Sequence, residues 1–172
     1  VAIGYRALSE LNYDGNGYNT AVGHDAGRKL STGTLNTVIG SLAGDALTTG
    51  NSNTAVGQEA LTTETTGTFN IAIGREALRY SALSNKSIGI GYAALQAQTN
   101  SPLTDTYNIA IGHIAGGAIT TGIYNTIIGG LAGDALTTGS NNIAIGYLAL
   151  SAEDAHGKNI AIGVNALAVQ DA

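Results

Sequence analysis

One pattern recurs from end to end of this chain and constrains its fold more than any other feature. The pattern is Asn-[Thr/Ile]-[Ala/Val]-[Ile/Val]-Gly-x-x-Ala, with small variations, and it begins at Asn19, Asn36, Asn53, Asn70, Asn108, Asn125, Asn142 and Asn159. Val1 opens a copy without its Asn, and Ser87 stands for Asn in another. The motif glycines are Gly4, Gly23, Gly40, Gly57, Gly74, Gly91, Gly112, Gly129, Gly146 and Gly163. Their spacings are 19, 17, 17, 17, 17, 21, 17, 17 and 17 residues. Ten registered copies make the 172-residue chain a single array. The two longer spacings follow Gly4 and Gly91, and Leu42–Gly50 recurs unchanged as Leu131–Gly139, 89 residues later. Residues 1–172 are therefore read as one solenoid domain of two five-rung cassettes, about 1–86 and 87–172, cut from a longer fibre.

Each copy reads as strand, turn, strand, turn. Asn70-Ile71-Ala72-Ile73-Gly74 alternates larger and smaller apolar residues, the two-residue period of a strand. The Ile73 position is Ile or Val throughout, whereas the Ala72 position is Ala in most copies. The expectation is that the bulky column fills the interior and the small column forms a close contact with another chain. Gly within every copy, Thr-rich turns and β-branched alternation oppose a helical repeat. The sequence thus predicts an all-β parallel β-solenoid of about ten rungs, spanning roughly 48 Å at ~4.8 Å per rung. Its stacked Asn residues would form a hydrogen-bonding ladder.

The second half of each copy carries an internal compensation. Gly27, Gly44, Gly116 and Gly133 are followed three residues later by Leu30, Leu47, Ile119 and Leu136. Where Leu61, Leu78, Leu95, Leu150 and Leu167 take the glycine's place, the later residue is Glu64, Ser81, Gln98, Glu153 or Gln170. One large aliphatic group per rung enters a shared buried site from either of two positions, because cores penalise both lost and excess volume. Leu8 with Leu11 is the exception.

Composition agrees with a thin core. Glycine is abundant at 25 residues, aromatics make up 5%, and Cys, Met and Trp are absent. Without cysteine there is no disulfide framework and no thiolate metal site. A net charge of −5 with 11% charged residues opposes nucleic-acid binding, which needs clustered Lys and Arg. No apolar run approaches the ~20 residues of a membrane span.

The repeated Asn-Ile-Ala-Ile-Gly-x-x-Ala with Thr-Gly turns resembles the head repeats of trimeric autotransporter adhesins. It is at least as similar to repeat arrays of phage tail fibres and related bacterial surface proteins. The resemblance implies a left-handed parallel β-roll with three chains side by side, the small-residue face being the trimer contact. It also implies a structural role, outside the cell, on a virion tail fibre or on a bacterial surface, where a rigid trimeric rod presents a receptor-binding tip. The period is longer than in adhesin heads, and no neck, stalk, anchor or chaperone segment is visible. A glycan-binding adhesin head is the alternative. An ice-binding solenoid is a further one, resting on the column Thr32, Thr49, Thr66, Thr121 and Thr138.

Candidate sites are few. The Asn residues that open the copies, Asn19 to Asn159, are the structural ladder. His24 and His113 hold equivalent places after the motif glycine, where a three-fold axis would gather imidazoles into an ion site. The same column also holds Tyr, Ser, Gln, Arg, Gly and Val, which marks it as variable. Asp14-Gly15-Asn16-Gly17 lacks the acidic spacing and closing Glu of a calcium loop. Asp45 and Asp134 recur by duplication. No nucleophile, triad or phosphate loop stands out, so neither an enzyme nor a cofactor is expected. Tyr18, Phe69, Tyr107 and Tyr124 precede the motif at an edge, where aromatics either bind sugars or shield rung ends. Tyr13, Tyr18, Tyr107 and Tyr124 are the candidate surface-recognition residues. Two insertions, about Ser9–Tyr18 and Gln96–Tyr107, are the candidate receptor contacts. The expected partners are two further copies of the chain, with a cell-surface glycan or receptor reached through these loops or the tip.

Overall fold

A computed structural model describes residues 1–12, 17–152 and 155–168. Ten short strands, one per copy, stack into a single parallel sheet. They are β1 (Ala2–Ile3), β2 (Thr20–Val22), β3 (Thr37–Ile39), β4 (Thr54–Val56), β5 (Ile71–Ile73), β7 (Ile88–Ile90), β9 (Ile109–Ile111), β10 (Thr126–Ile128), β11 (Ile143–Ile145) and β12 (Ile160–Ile162). Each pairs in register with its neighbours, Ala55 facing Ala72 and Ala110 facing Ile127, so equivalent residues form columns along the stack. The chain is an all-β parallel solenoid of about nine turns, and no helix occurs among the described residues.

The interior is the reverse of the sequence expectation. Beyond Ala2 in the first rung, the Ala72 column is buried, whereas Ile39, Ile73, Ile111 and Ile128 of the bulky column are exposed. The reason is width. A Cβ on Gly89, in the small column, would stand 3.0 Å from the carbonyl oxygen of Ala94 and 3.2 Å from Leu78. Ala72 and its equivalents therefore meet the second column of alanines, Ala77 and Ala94 among them, across a narrow gap that the aliphatic fillers complete. The longer residues at this place, Val38 and Ile127, lie in rungs with glycine later in the copy. A Cβ on Gly44 would come 2.9 Å from Val38, and one on Gly133 would come 3.1 Å from Ile127.

The two-position filler is present as expected in every rung but the last, where Leu167 is exposed. Leu30, Leu47, Ile119 and Leu136 are fully buried, and so are Leu61, Leu78, Leu95 and Leu150. A Cβ on Gly44 or Gly116 would meet the tip of Leu47 or Ile119 at 2.9 Å, so the two routes do end in the same space. The first copy obeys the same rule, because Leu8 packs on the core and Leu11 is exposed. Glu153 and Gln170 lie outside the described residues. Where the later residue is polar it is buried and bonded rather than expelled. The Oε1 of Glu64 accepts backbone N–H bonds from Thr65, Thr66, Gly67 and Leu83, and its Oε2 accepts one from Ser84.

The second half of a copy is a chain of turns, not the expected second strand. In the first complete copy, the N–H of Ala26 bonds the carbonyl of Gly23 and that of Leu30 bonds Gly27, while Gly27 and Lys29 reach Ala43 and Asp45 of the next rung. This winding places Asp25, Leu61 and Phe69, with their column equivalents, at φ between 50° and 67°. The filler glycines sit at such positive φ too, Gly44 at 51°. The later-half strands are confined to the centre, where β6 (Ala82–Asn85) pairs in parallel with β8 (Thr99–Asp105) across a register shift. Thus the second insertion is largely a strand.

One glycine per rung is obligatory. Gly57 has φ +138°, and a Cβ there would come 2.6 Å from the carbonyl carbon of Gly74. Only glycine adopts that backbone conformation at such close approach.

Candidate functional site: an exposed apolar sheet face

The ladder that holds the rungs in register lies just inside the sheet. The Oδ1 of Asn36 accepts the N–H of Asn53 at 2.9 Å and its side-chain amide at 3.1 Å. The Nδ2 of Asn36 donates to the carbonyl of Gly50, which ties the strand to its closing turn. The same contacts recur through Asn19, Asn108, Asn125 and Asn142, and the N–H of Asn159 donates to Asn142. At Ser87 the amide is missing and Gln98 bridges the gap. Its Nε2 donates to the Ser87 hydroxyl at 2.6 Å, and its Oε1 accepts from Asn108 at 2.9 Å. Asn70 closes the first half of the ladder by accepting the Ser87 N–H.

With small residues turned inward, the outward side of the sheet carries two β-branched columns. One runs through Thr20, Ile71 and Ile143, and the other through Val22, Ile73 and Ile145. The residues just before the Asn flank them on one side, the Phe69 column. Those just after the motif glycine flank them on the other, the Arg75 column. Every exposed large apolar side chain among the described residues lies in these four columns, except Leu11, Tyr80, Leu103 and Leu167. Ten strands at ~4.8 Å by six residue steps of ~3.3 Å give the face with its margins an extent on the order of 1,000 Å². Only the two central columns are β-branched throughout; the margins mix aromatic side chains with Ser, Asn, Gln, His, Lys and Arg.

The margins are ordered by ring stacking and ion pairs. Tyr107 and Tyr124 stack at 5.6 Å with planes 12° apart, each covering a face of the other. The Lys86 ammonium lies over the Tyr107 ring and donates to the Tyr107 hydroxyl and to Asp105. That hydrogen bond holds the Asp105 carboxyl below the ordinary range. Tyr18 is exposed at the start of this column. Tyr13 lies outside the described residues, as does most of the Asp14–Gly17 loop. On the opposite margin, His24 stacks on Tyr5 and His113 on Tyr92, at 5.3 and 5.2 Å. The two histidines sit in separate stacks, and no group of three metal-ligating side chains occurs among the described residues. Arg6 bonds Asp25 through both guanidinium and carboxylate forks at 2.7 and 2.6 Å, which lowers the Asp25 carboxyl.

Asp45 and Asp134 differ despite their identical segments. Burial raises both carboxyls, but Asp45 has Arg28 at 3.6 Å, and the residue matching Arg28 in the second cassette is Gly117. The threonine column of Thr32, Thr49, Thr66, Thr121 and Thr138 lies in bends rather than on a strand. The sequence identified the margin tyrosines but missed the central columns as a surface. Both sides of the strand are apolar, so alternation alone does not say which is inside. Comparison with family models, with curated proteins and with solved structures gave no match.

Proposed function

We propose that the chain is a structural, non-enzymatic segment of an extracellular or virion fibre. Three copies pack side by side into a rigid rod that presents a receptor-binding or adhesive tip. The observation that carries this reading is the β-branched face running the length of the sheet, whose central columns include exposed Ile39, Ile73, Ile111, Ile128 and Ile143. The trimer and a left-handed winding follow the resemblance to adhesin heads and tail-fibre repeats. The contact face is the bulky β-branched one, in place of the small-residue face first expected.

A rod of this kind resists bending and proteolysis because the strand backbone bonds, and many of those in the turns, run from one rung to the next. Its charge of −5 per chain opposes side-to-side clumping of rods. The test is a double substitution on the face, Ile73→Asp with Ile111→Asp. These side chains are exposed within one chain, so the rungs remain intact and the circular dichroism spectrum is unchanged. Sedimentation velocity is expected to show monomer where the unmodified chain is trimeric. A double variant that associates like the unmodified chain contradicts the reading.

A further inference from the structure

We propose that Tyr107 and Tyr124 form an oxidative modification site, where a peroxidase supplied with hydrogen peroxide couples the two rings into a dityrosine staple between neighbouring rungs. The staple lies within one chain, so it forms in a monomer and in a trimer alike.

Composition directs one-electron oxidation to tyrosine. Cys and Met are the side chains with a ready oxidation ladder, and the indole of Trp is the other easily oxidised ring. The chain has none of the three, which leaves its eight tyrosine phenols as the groups that give up an electron most readily. A phenoxyl radical reaches a stable covalent product by meeting a second one.

Tyr107 and Tyr124 supply that partner. They are the one pair of tyrosine rings stacked on each other among the described residues, because Tyr5 and Tyr92 lie against His24 and His113 instead. Strands β9 and β10 pair in register, so the two tyrosines occupy equivalent places in successive rungs. Their centroids are 5.6 Å apart and their planes differ by 12°. The Lys86 ammonium holds Tyr107 in place. It donates to the Tyr107 hydroxyl at 3.0 Å, lies 5.0 Å from the ring centroid and is anchored on Asp105 at 2.6 Å. Tyr124 is exposed and bears no such tether, so a small side-chain rotation carries it onto the fixed ring. Two reactants held this near each other couple far faster than two that must meet by diffusion.

The chemistry balances. Each phenol loses one electron to the peroxidase and one proton to solvent. The two radicals pair their electrons in a carbon–carbon bond between the ring positions next to the hydroxyls. Each of these carbons then passes its hydrogen to the phenolic oxygen as a proton, which restores both aromatic rings. In sum, two tyrosines and one hydrogen peroxide give one dityrosine and two waters. The product closes the segment from Tyr107 to Tyr124, which contains β9 and the buried filler Ile119. A cross-link of this kind restricts the unfolded chain, as a disulfide does.

The test treats the unmodified chain, at low micromolar concentration, with lactoperoxidase and hydrogen peroxide. The product is then unfolded and cleaved before aspartate. Fragment 105–133 contains Tyr107 and Tyr124 and no other tyrosine. It is expected to be lighter by two hydrogens and to show dityrosine fluorescence, while the uncleaved chain runs as a monomer on a denaturing gel. A Tyr124→Phe variant, folded by circular dichroism, is expected to yield the same fragment without that loss. A fragment from the unmodified chain that does not lose the two hydrogens, or one from Tyr124→Phe that does, overturns the proposal. Covalent dimers in place of the internal staple overturn it as well.

Discussion

At the scale of single residues, the winding depends on side chains in a backbone region that L-residues seldom occupy. Leu61, Phe69 and Glu76 have φ of 54°, 60° and 61°, a conformation costing about 1–3 kcal/mol each. The offset is visible at Phe69, whose N–H reaches Asn51 of the preceding rung, and at Leu61, whose N–H reaches Ala77 of the next. Nothing in the residue types announced this, because Leu and Phe are poor markers of positive φ. The Asn ladder, by contrast, was readable from the sequence, since a buried Asn recurring at one place must bond its own equivalents. Titration follows from the ion pairs. The hydrogen bond to Arg6 lowers the Asp25 carboxyl, and that to Lys86 lowers Asp105. Their stabilising contribution is therefore present above the unfolded value of about 4 and lost as pH falls through the lower folded values. Burial raises Asp45 and Asp134, so their contribution has the opposite sign and fades as pH rises through their folded values. An Arg6→Gln variant is expected to lose thermal stability at pH 7 and to lose less on acidification to pH 2 than the unmodified chain, as melting curves at the two values would show. An equal loss on acidification would contradict the assignment to Asp25.

At the scale of the rung, the architecture reduces to a volume rule: one strand, one obligatory glycine, two alanine columns and one aliphatic filler. The rule was legible in the sequence because the filler moves between two positions while its presence is kept. What the sequence withheld was the conformation at the first of them. Gly44 and Leu61 both adopt positive φ, so glycine there relaxes the backbone and leucine fills the core directly. Leu47→Ala is expected to cost about 2–5 kcal/mol, the range for truncating a buried leucine. Gly44→Leu alone overfills the same space, because a Cβ already meets Leu47 at 2.9 Å. Combining Gly44→Leu with Leu47→Gln and Val38→Ala removes both side chains that a Cβ at residue 44 meets at 2.9 Å, and is expected to recover most of the denaturant midpoint lost in Gly44→Leu. If the triple variant is less stable than Gly44→Leu alone, the shared-site account fails. The insertion at Gln96–Tyr107 shows another limit of sequence reading. Its β8 pairs with β6, and Gln98 from its approach repairs the ladder at Ser87, a contact between residues 11 apart that no periodic reasoning connects.

At the scale of the whole molecule, the stack was legible and its orientation was not. Alternation of Ile and Ala defined two sides of the strand, and both were apolar. The tie is broken by interior width, which depends on how closely the turns of the second half approach the sheet. Those turns set a gap that alanine fills and isoleucine overfills in most rungs. The bulky column is consequently turned outward, leaving a long apolar surface with ordered aromatic and charged margins. The scarcity of large aromatics in the core and the abundance of glycine are thus two results of one narrow section repeated along the stack. Association through the outward face is the central claim, and the mass of the unmodified chain tests it most directly. Sedimentation equilibrium at micromolar concentration is expected to give three times 17.2 kDa. A stable, folded species of 17.2 kDa at the same concentration would contradict it.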